Sequence, residues 1–109
     1  MAKIFHKRAE LDKRYRTKLG HLTEVECLDQ LASDAPNHPY FPIKINRNSK
    51  VSRDKIVEKM RTEGVNPRRY FHPLITNLEA YKEYKLIGKN RFPNAEEAAA
   101  SVICLPLYP

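Results

Sequence analysis

The sequence predicts a small α/β (α+β) domain, a few-stranded sheet flanked by helices, and three observations carry that prediction. Apolar residues recur at helical spacing near the start of the chain, alternate at strand spacing around residues 40–46, and return to helical spacing over residues 52–63 and again after residue 94. Interleaved helix and strand periods point to helices covering a sheet. At 109 residues the chain has room for one modest core, because a domain of this size buries only about two thirds of its unfolded surface. With 41% hydrophobic and 30% charged residues the composition is that of a folded globular chain.

The first helix is expected over residues 3–19. Ile4, Leu11, Tyr15 and Leu19 fall on one stripe with Phe5 beside it, and Gly20 is placed to end the helix in a left-handed conformation. The pattern then breaks up from His21 to Pro39, with Asp34-Ala35-Pro36-Asn37-His38-Pro39 as a loop. Tyr40 to Asn46 alternates, with Phe41, Ile43 and Ile45 on the buried side. Pro42 cannot donate to a ladder, which predicts an edge or a bulge on its side of the strand.

Ser52 is a good N-cap, Val51 can staple to Ile56, and Ile56, Val57 and Met60 form an apolar face. Gly64 and Val65 then complete a Schellman end, so residues 52–63 are predicted helical. Val65 to Pro73 reads as a second strand beside Tyr40 to Asn46. Leu78, Tyr81 and Tyr84 share a short helical stripe. Asn94 with Glu97 predicts a capped helix whose core side is Ala98, Ala99, Val102 and Ile103. The chain finishes on Leu105-Pro106-Leu107-Tyr108-Pro109, an apolar strand end without a polar tail, as expected of a piece of a longer polypeptide.

The net charge of +7 invites an anionic partner, yet Lys3, Lys7, Arg8, Lys13, Arg14, Arg16 and Lys18 crowd the first helix and read as a solvated face. No zinc-finger spacing, RNP signature or GXXG loop accompanies them, which disfavours nucleic acid. No apolar run approaches the roughly 18 residues of a membrane span, and Met1 to Arg8 is too polar for a signal peptide, so no membrane partner and a cytoplasmic location are expected. Cys27 and Cys104 lack CxxC spacing and are expected to be buried thiols. The four histidines lack metal-ligand spacing. Glycine-rich phosphate loops, Gly-x-Ser-x-Gly and His-Glu-x-x-His are absent from the sequence, and no catalytic residue or metal ligand is assigned.

One run concentrates chemistry, Arg68-Arg69-Tyr70-Phe71-His72-Pro73. On a strand Arg68 and Tyr70 share one side and Arg69 and Phe71 the other. Two guanidiniums, a phenol and an imidazole at one strand end suit a phosphate or carboxylate with a sugar hydroxyl beside it. The structural alternative is a solvated Arg pair with Tyr70 and Phe71 in the core.

Three stretches in order carry a family resemblance: Ser52 to Val65 running into Asn66-Pro67-Arg68-Arg69-Tyr70-Phe71-His72-Pro73-Leu74, then Phe92-Pro93-Asn94-Ala95-Glu96, then Cys104-Leu105-Pro106-Leu107-Tyr108-Pro109. Together they resemble the C-terminal part of the DegT/DnrJ/EryC1/StrS sugar aminotransferases. The resemblance implies the small domain of an aspartate-aminotransferase-fold (type I) enzyme that uses pyridoxal phosphate to move an amino group from glutamate to a nucleotide-linked keto sugar. It implies that residues 1–20 are the linking helix from a large cofactor-binding domain and residues 21–109 the C-terminal small domain, truncated before the family's final helix. The complete enzyme would be a homodimer with its active sites at the subunit interface.

The Arg-Arg-Tyr-Phe run most resembles members acting on 3-keto-6-deoxyhexoses carried on dTDP. By the same resemblance Arg69, Tyr70 and His72 would hold the sugar nucleotide or shape the pocket mouth. Many relatives have His-Tyr or Tyr-Tyr where this chain has Phe71-His72. The Schiff-base lysine and the aspartate that pairs with the pyridine nitrogen belong upstream of this region. This chain alone is therefore expected to hold no pyridoxal phosphate and to have no transaminase activity. The alternative is a free-standing basic α/β module that binds a phosphorylated ligand or nucleic acid, with Arg68 and Arg69 as anchors.

Overall fold

The computed structural model describes residues 2–29, 37–81, 83 and 92–108. Helix α1 spans Ala2–Leu19 and lays Leu11, Tyr15 and Leu19 against the core, while Ile4 and Phe5 stay exposed. Gly20 departs from the expectation. Its N–H donates to the Arg16 carbonyl at 2.9 Å, and a Cβ there would lie 2.7 Å from that oxygen. Glycine is needed for this close approach, and the positive-φ glycine among the described residues is Gly64 instead.

Three antiparallel strands follow the order β1-β2-β3, with β1 at Val25–Cys27, β2 at Phe41–Ile45 and β3 at Val102–Leu105. Strand β1 lies in the segment where the pattern breaks up. Three residues are too few to display a period.

The alternation of β2 holds: Phe41, Ile43 and Ile45 are buried, opposite Leu105 and Ile103 on β3 and Val25 and Cys27 on β1. Pro42, expected to mark an edge, sits in the central strand. It faces Cys104 at a position where Cys104 turns both its N–H and its carbonyl away, toward Arg68. The proline nitrogen therefore points to the β1 side just beyond Cys27, where only the Pro42 carbonyl is used, by the Leu28 N–H at 3.2 Å. A central strand tolerates proline because its neighbour ends there.

Helix α2 spans Arg53–Thr62 as its caps predict. Ser52 accepts from the Lys55 N–H, Gly64 has φ +82°, and the Val65 and Gly64 N–H groups bond the Met60 and Arg61 carbonyls at 2.9 and 3.0 Å. No atom lies within 4 Å of a Cβ built on Gly64. Gly64→Ala is accordingly expected to cost only the backbone term, about 1 kcal/mol, measured as a lower urea midpoint at unchanged slope.

The predicted second strand over residues 65–73 reduces to one bridge, Arg68 with Cys104, and it lies beside β3 rather than beside β2. Prolines at both ends leave few N–H groups to extend a ladder. Two short 3₁₀ turns come next, Ile75–Asn77 and Glu79–Tyr81, and Tyr84 lies outside the described residues.

Helix α3 spans Pro93–Ser101. Phe92 rather than Asn94 is its N-cap, without a side-chain bond, because Pro93 already takes the first helical position. Ala99 and Ser101 are buried and Ala98 is not, and Val102 has already entered β3. Glu97, expected to cap, instead reaches Lys44 on β2 at 3.1 Å and Arg47 at 2.9 Å. The hydrogen bond from Lys44, and then the charge of Arg47, hold its carboxyl below the usual glutamate value.

A carboxyl lowered by folding supports the fold at pH above its unfolded value, about 4, and the support is lost as pH falls through the lower folded value. Glu97→Gln is expected to flatten the acid limb of a stability profile, seen by comparing urea midpoints at neutral and acid pH.

One core joins these pieces: Phe41, Ile43, Ile45, Val57, Ile103, Leu105 and Leu107 are buried together, flanked by α1 and α2. Arg53, the first residue of α2, is buried as well. It donates to the Ala99 carbonyl at 2.7 Å, the Val102 carbonyl at 3.1 Å and Asp54 Oδ1 at 2.9 Å. Asp12 on α1 is buried against Arg16 Nε at 2.8 Å, and His38 Nδ1 stands 3.3 Å from its other oxygen without the alignment of a hydrogen bond.

Candidate functional site

The left-handed turn at Gly64 sends the chain from α2 to the outer side of β3, where Pro67 is buried and Arg68 docks. Its N–H donates to the Cys104 carbonyl at 3.0 Å and its carbonyl accepts from the Cys104 N–H at 2.8 Å. This register sets which side chains share a face. Arg68 and Tyr70 lie together as the strand period requires, with Arg68 Nη1 donating to the Tyr70 hydroxyl at 2.8 Å and the guanidinium 5.9 Å from the ring centre. Tyr40, just ahead of β2, meets the Tyr70 ring edge-on with centres 5.2 Å apart.

Arg69 points the other way and donates to Asp54 Oδ1 at 3.1 Å, the oxygen that Arg53 also bonds. Desolvation pushes the Asp54 carboxyl up, but the hydrogen bonds and charges of Arg69 and Arg53 outweigh it and leave the group below its usual value. The chain then turns, the His72 N–H donating to the Arg69 carbonyl at 3.1 Å. The Tyr70–Phe71 and His72–Pro73 peptides are cis. Phe71 is 79% exposed, against the alternative that seated it in the core, and the His72 side chain is also exposed.

The run therefore separates three ways. Tyr70 and Arg68 face a cleft, Arg69 ties the segment to α2, and His72 lies past the turn. The cleft, about 370 Å³, is closed on its other sides by Arg8 of α1, by Tyr40 and by the chain from Leu105 to Tyr108. Sequence reasoning missed Arg8 and Tyr40. Arg8 had a signal, since it stands four residues after Ile4 and three before Leu11, inside the apolar stripe, where a solvated arginine is out of place.

Burial raises the pKa of both thiols; Cys104 is buried and Cys27 half-buried, so neither has the setting of an activated nucleophile. Among the described residues no cluster of three or more His, Cys, Asp or Glu could hold a metal, and no helix is long and apolar enough to cross a membrane.

Among the described residues, the three-stranded antiparallel sheet and three α-helices make an α+β small domain of the kind found in type I pyridoxal-phosphate enzymes. The chain belongs to the DegT/DnrJ/EryC1/StrS aminotransferase family, whose sequence model matches residues 1–109. It is similar to the dTDP-4-amino-4,6-dideoxy-D-glucose transaminase of Escherichia coli, 31% identical over 102 residues that make up 94% of this chain and 28% of that protein. Among solved structures it is similar to DesI, crystallised in the presence of its TDP-sugar product, with TM-score 0.78 and 27% identity over 96% of this chain and 26% of the other. PseC of Helicobacter pylori, an aminotransferase involved in the biosynthesis of pseudoaminic acid, shares the fold with TM-score 0.78 at 20% identity, over 95% of this chain and 27% of the other. The chain thus spans little more than a quarter of the length of these relatives.

The family implies pyridoxal phosphate, which needs a lysine in a pocket that excludes water and an aspartate aimed at the pyridine nitrogen. The described residues do not fit it. Lys44 is paired with Glu97, every other described lysine is exposed, and the buried carboxylate, Asp12, is engaged by Arg16.

Proposed function

We propose that this chain serves as the small domain of an aminotransferase that moves an amino group from glutamate to a keto sugar carried on a nucleotide. Residues 1–20 would be the helix leading from a large cofactor-binding domain and residues 21–109 the small domain. The family match over the whole chain is the observation that carries this reading. On the same reading the complete enzyme is a cytoplasmic homodimer, pyridoxal phosphate is held by the large domain, and this chain by itself has no transaminase activity. The substrate named for the E. coli relative and the TDP-sugar product of DesI favour a dTDP-linked hexose.

Arg69, Tyr70 and His72 are the residues proposed to face the sugar nucleotide. The division of labour suggested by the geometry gives Tyr70 a direct contact from the cleft, His72 a contact from the turn, and Arg69 the task of holding the segment against Asp54. The test is a chimera in which this chain replaces the corresponding segment of the E. coli transaminase. It is expected to bind pyridoxal phosphate and to form 2-oxoglutarate from glutamate in the presence of a dTDP-linked keto sugar. A folded, cofactor-loaded chimera without turnover would remove the reading.

A further inference from the structure

Asp12 is a buried carboxylate on α1, and its two oxygens meet different elements. Arg16 Nε donates to Oδ1 at 2.8 Å from the same helix, and the Arg16 guanidinium also donates to the Leu28 carbonyl and lies over the Phe41 ring. His38 Nδ1 stands 3.3 Å from Oδ2 and comes from residues 37–40, an irregular stretch that leads directly into β2. Three properties set this histidine apart from a solvated loop residue. Its side chain is only 16% exposed, its Nδ1 is buried with no aligned partner, and its φ is +45°, a positive value for a non-glycine residue. A residue with a β-carbon is held in that left-handed conformation by its surroundings, against its own preference. In this position Nδ1 carries a proton, because its lone pair would otherwise face a carboxylate oxygen. Pro39 follows, with φ fixed by its ring, so little freedom separates the His38 anchor from Tyr40. Tyr40 in turn sets its ring edge-on to Tyr70, with centres 5.2 Å apart.

We propose that His38 and Asp12 are a positioning pair for the sugar-nucleotide site. By pinning the stretch ahead of β2 to α1 they fix the Tyr40 ring, and Tyr40 fixes the ring of Tyr70. The role rests on the aminotransferase reading, in which Tyr70 contacts the sugar nucleotide. His38 and Asp12 act through the two tyrosines and make no contact with the ligand themselves. The first helix thereby takes part in orienting Tyr70, although the two are far apart in sequence.

Two substitutions separate the backbone of His38 from its side chain. His38→Gly adopts the left-handed conformation freely but brings no group to Asp12, whereas His38→Asn tolerates the same backbone and places an N–H near the position of Nδ1. The first measurement is the nuclear Overhauser contact between the Tyr40 and Tyr70 rings in the chain itself, with urea midpoints taken alongside to show that each variant is folded. The contact is expected to disappear in the glycine variant and to persist in the asparagine variant. The second measurement uses the chimera with the E. coli transaminase. There His38→Gly is expected to raise KM for the dTDP-linked keto sugar about tenfold, and His38→Asn to stay within about twofold of the parent. Single-turnover conversion of glutamate to 2-oxoglutarate, which involves no sugar, should be unchanged in both, whereas a purely structural role would depress the two steps together. The proposal is overturned if the glycine variant keeps the ring contact, if it slows both steps alike, or if asparagine fails as glycine does. Loss of the contact in a chimera that never turns over would keep the pair as the anchor of Tyr40 and remove the aminotransferase reading. Turnover with a sugar KM indifferent to His38→Gly would keep that reading and remove the positioning role.

Discussion

Replacing Arg53 by methionine is expected to destabilise the domain by about 3 kcal/mol, although methionine fills much of the same volume. The Arg53 side chain is 3% exposed and belongs to two helices at once. It opens α2, and its guanidinium bonds the Ala99 carbonyl in the last turn of α3 and the Val102 carbonyl where β3 begins. Helix α3 has no basic residue in its own last turn, so the cation that its terminal carbonyls favour comes from another element. Asp54 at the next position offsets an arginine placed at the unfavourable, N-terminal end of α2. Methionine would strand both carbonyls inside the fold. Urea unfolding measures the loss, and Arg53→Lys, which lacks the fork, is expected to recover less than half of it. A methionine variant as stable as the parent would show that the carbonyls find other partners.

Phe41→Ala is expected to cost about 3–5 kcal/mol, a large share of the roughly 5–15 kcal/mol typical of a whole domain. Phe41 is fully buried in the central strand, its ring 5.0 Å from Tyr15 and 5.2 Å from the Arg16 guanidinium, both on α1. It is therefore one of the side chains through which the first helix holds the sheet, beside the contacts of Leu11 and Leu19 with the core. The Tyr15 hydroxyl donates to the Pro106 carbonyl at 3.1 Å, so loosening α1 also frees the exit of β3 and one wall of the Arg8 cleft. Thermal unfolding should show the drop, and Phe41→Leu, nearer in volume, should cost under about 1.5 kcal/mol. An alanine variant losing less than about 1 kcal/mol would mean that α1 is held elsewhere.

Helix α2 is legible residue by residue because everything that bounds it is local: a serine cap, a left-handed glycine and an apolar face between them. Strand β2 is legible for the same reason, its alternation lying within five residues. Two of the expectations that fail depend on partners remote in sequence. Pro42 looks like an edge marker, since nothing near it tells that β1 stops at Cys27. Glu97 looks like a cap and is an ion-pair partner for Lys44, a residue on a strand far back in the chain. Asn94 loses the cap to Phe92 because the proline between them preempts the first turn.

The candidate site divides along the same line. The pairing of Arg68 with Tyr70 follows from strand period alone, and so does the opposite sense of Arg69. That Arg69 would find Asp54, or that Tyr40 and Arg8 would come to the Arg68 face, depends on how α1, α2 and the sheet close on one another.

The outermost contact of the sheet, where Arg68 and Cys104 exchange two hydrogen bonds, sets a hierarchy of stiffness. Those two bonds, with the burial of Pro67, the Arg69–Asp54 pair and the Tyr40–Tyr70 contact, are fewer ties than the ladder and core packing that join β2 to β3, so the segment bearing Arg68 and Tyr70 is expected to detach at a fraction of the global unfolding free energy. Whatever settles on that segment works against a local opening and leaves the rest of the domain unchanged. On the proposed reading, substitutions that ease or hinder this opening would change affinity at this edge without altering a single residue that touches the sugar nucleotide.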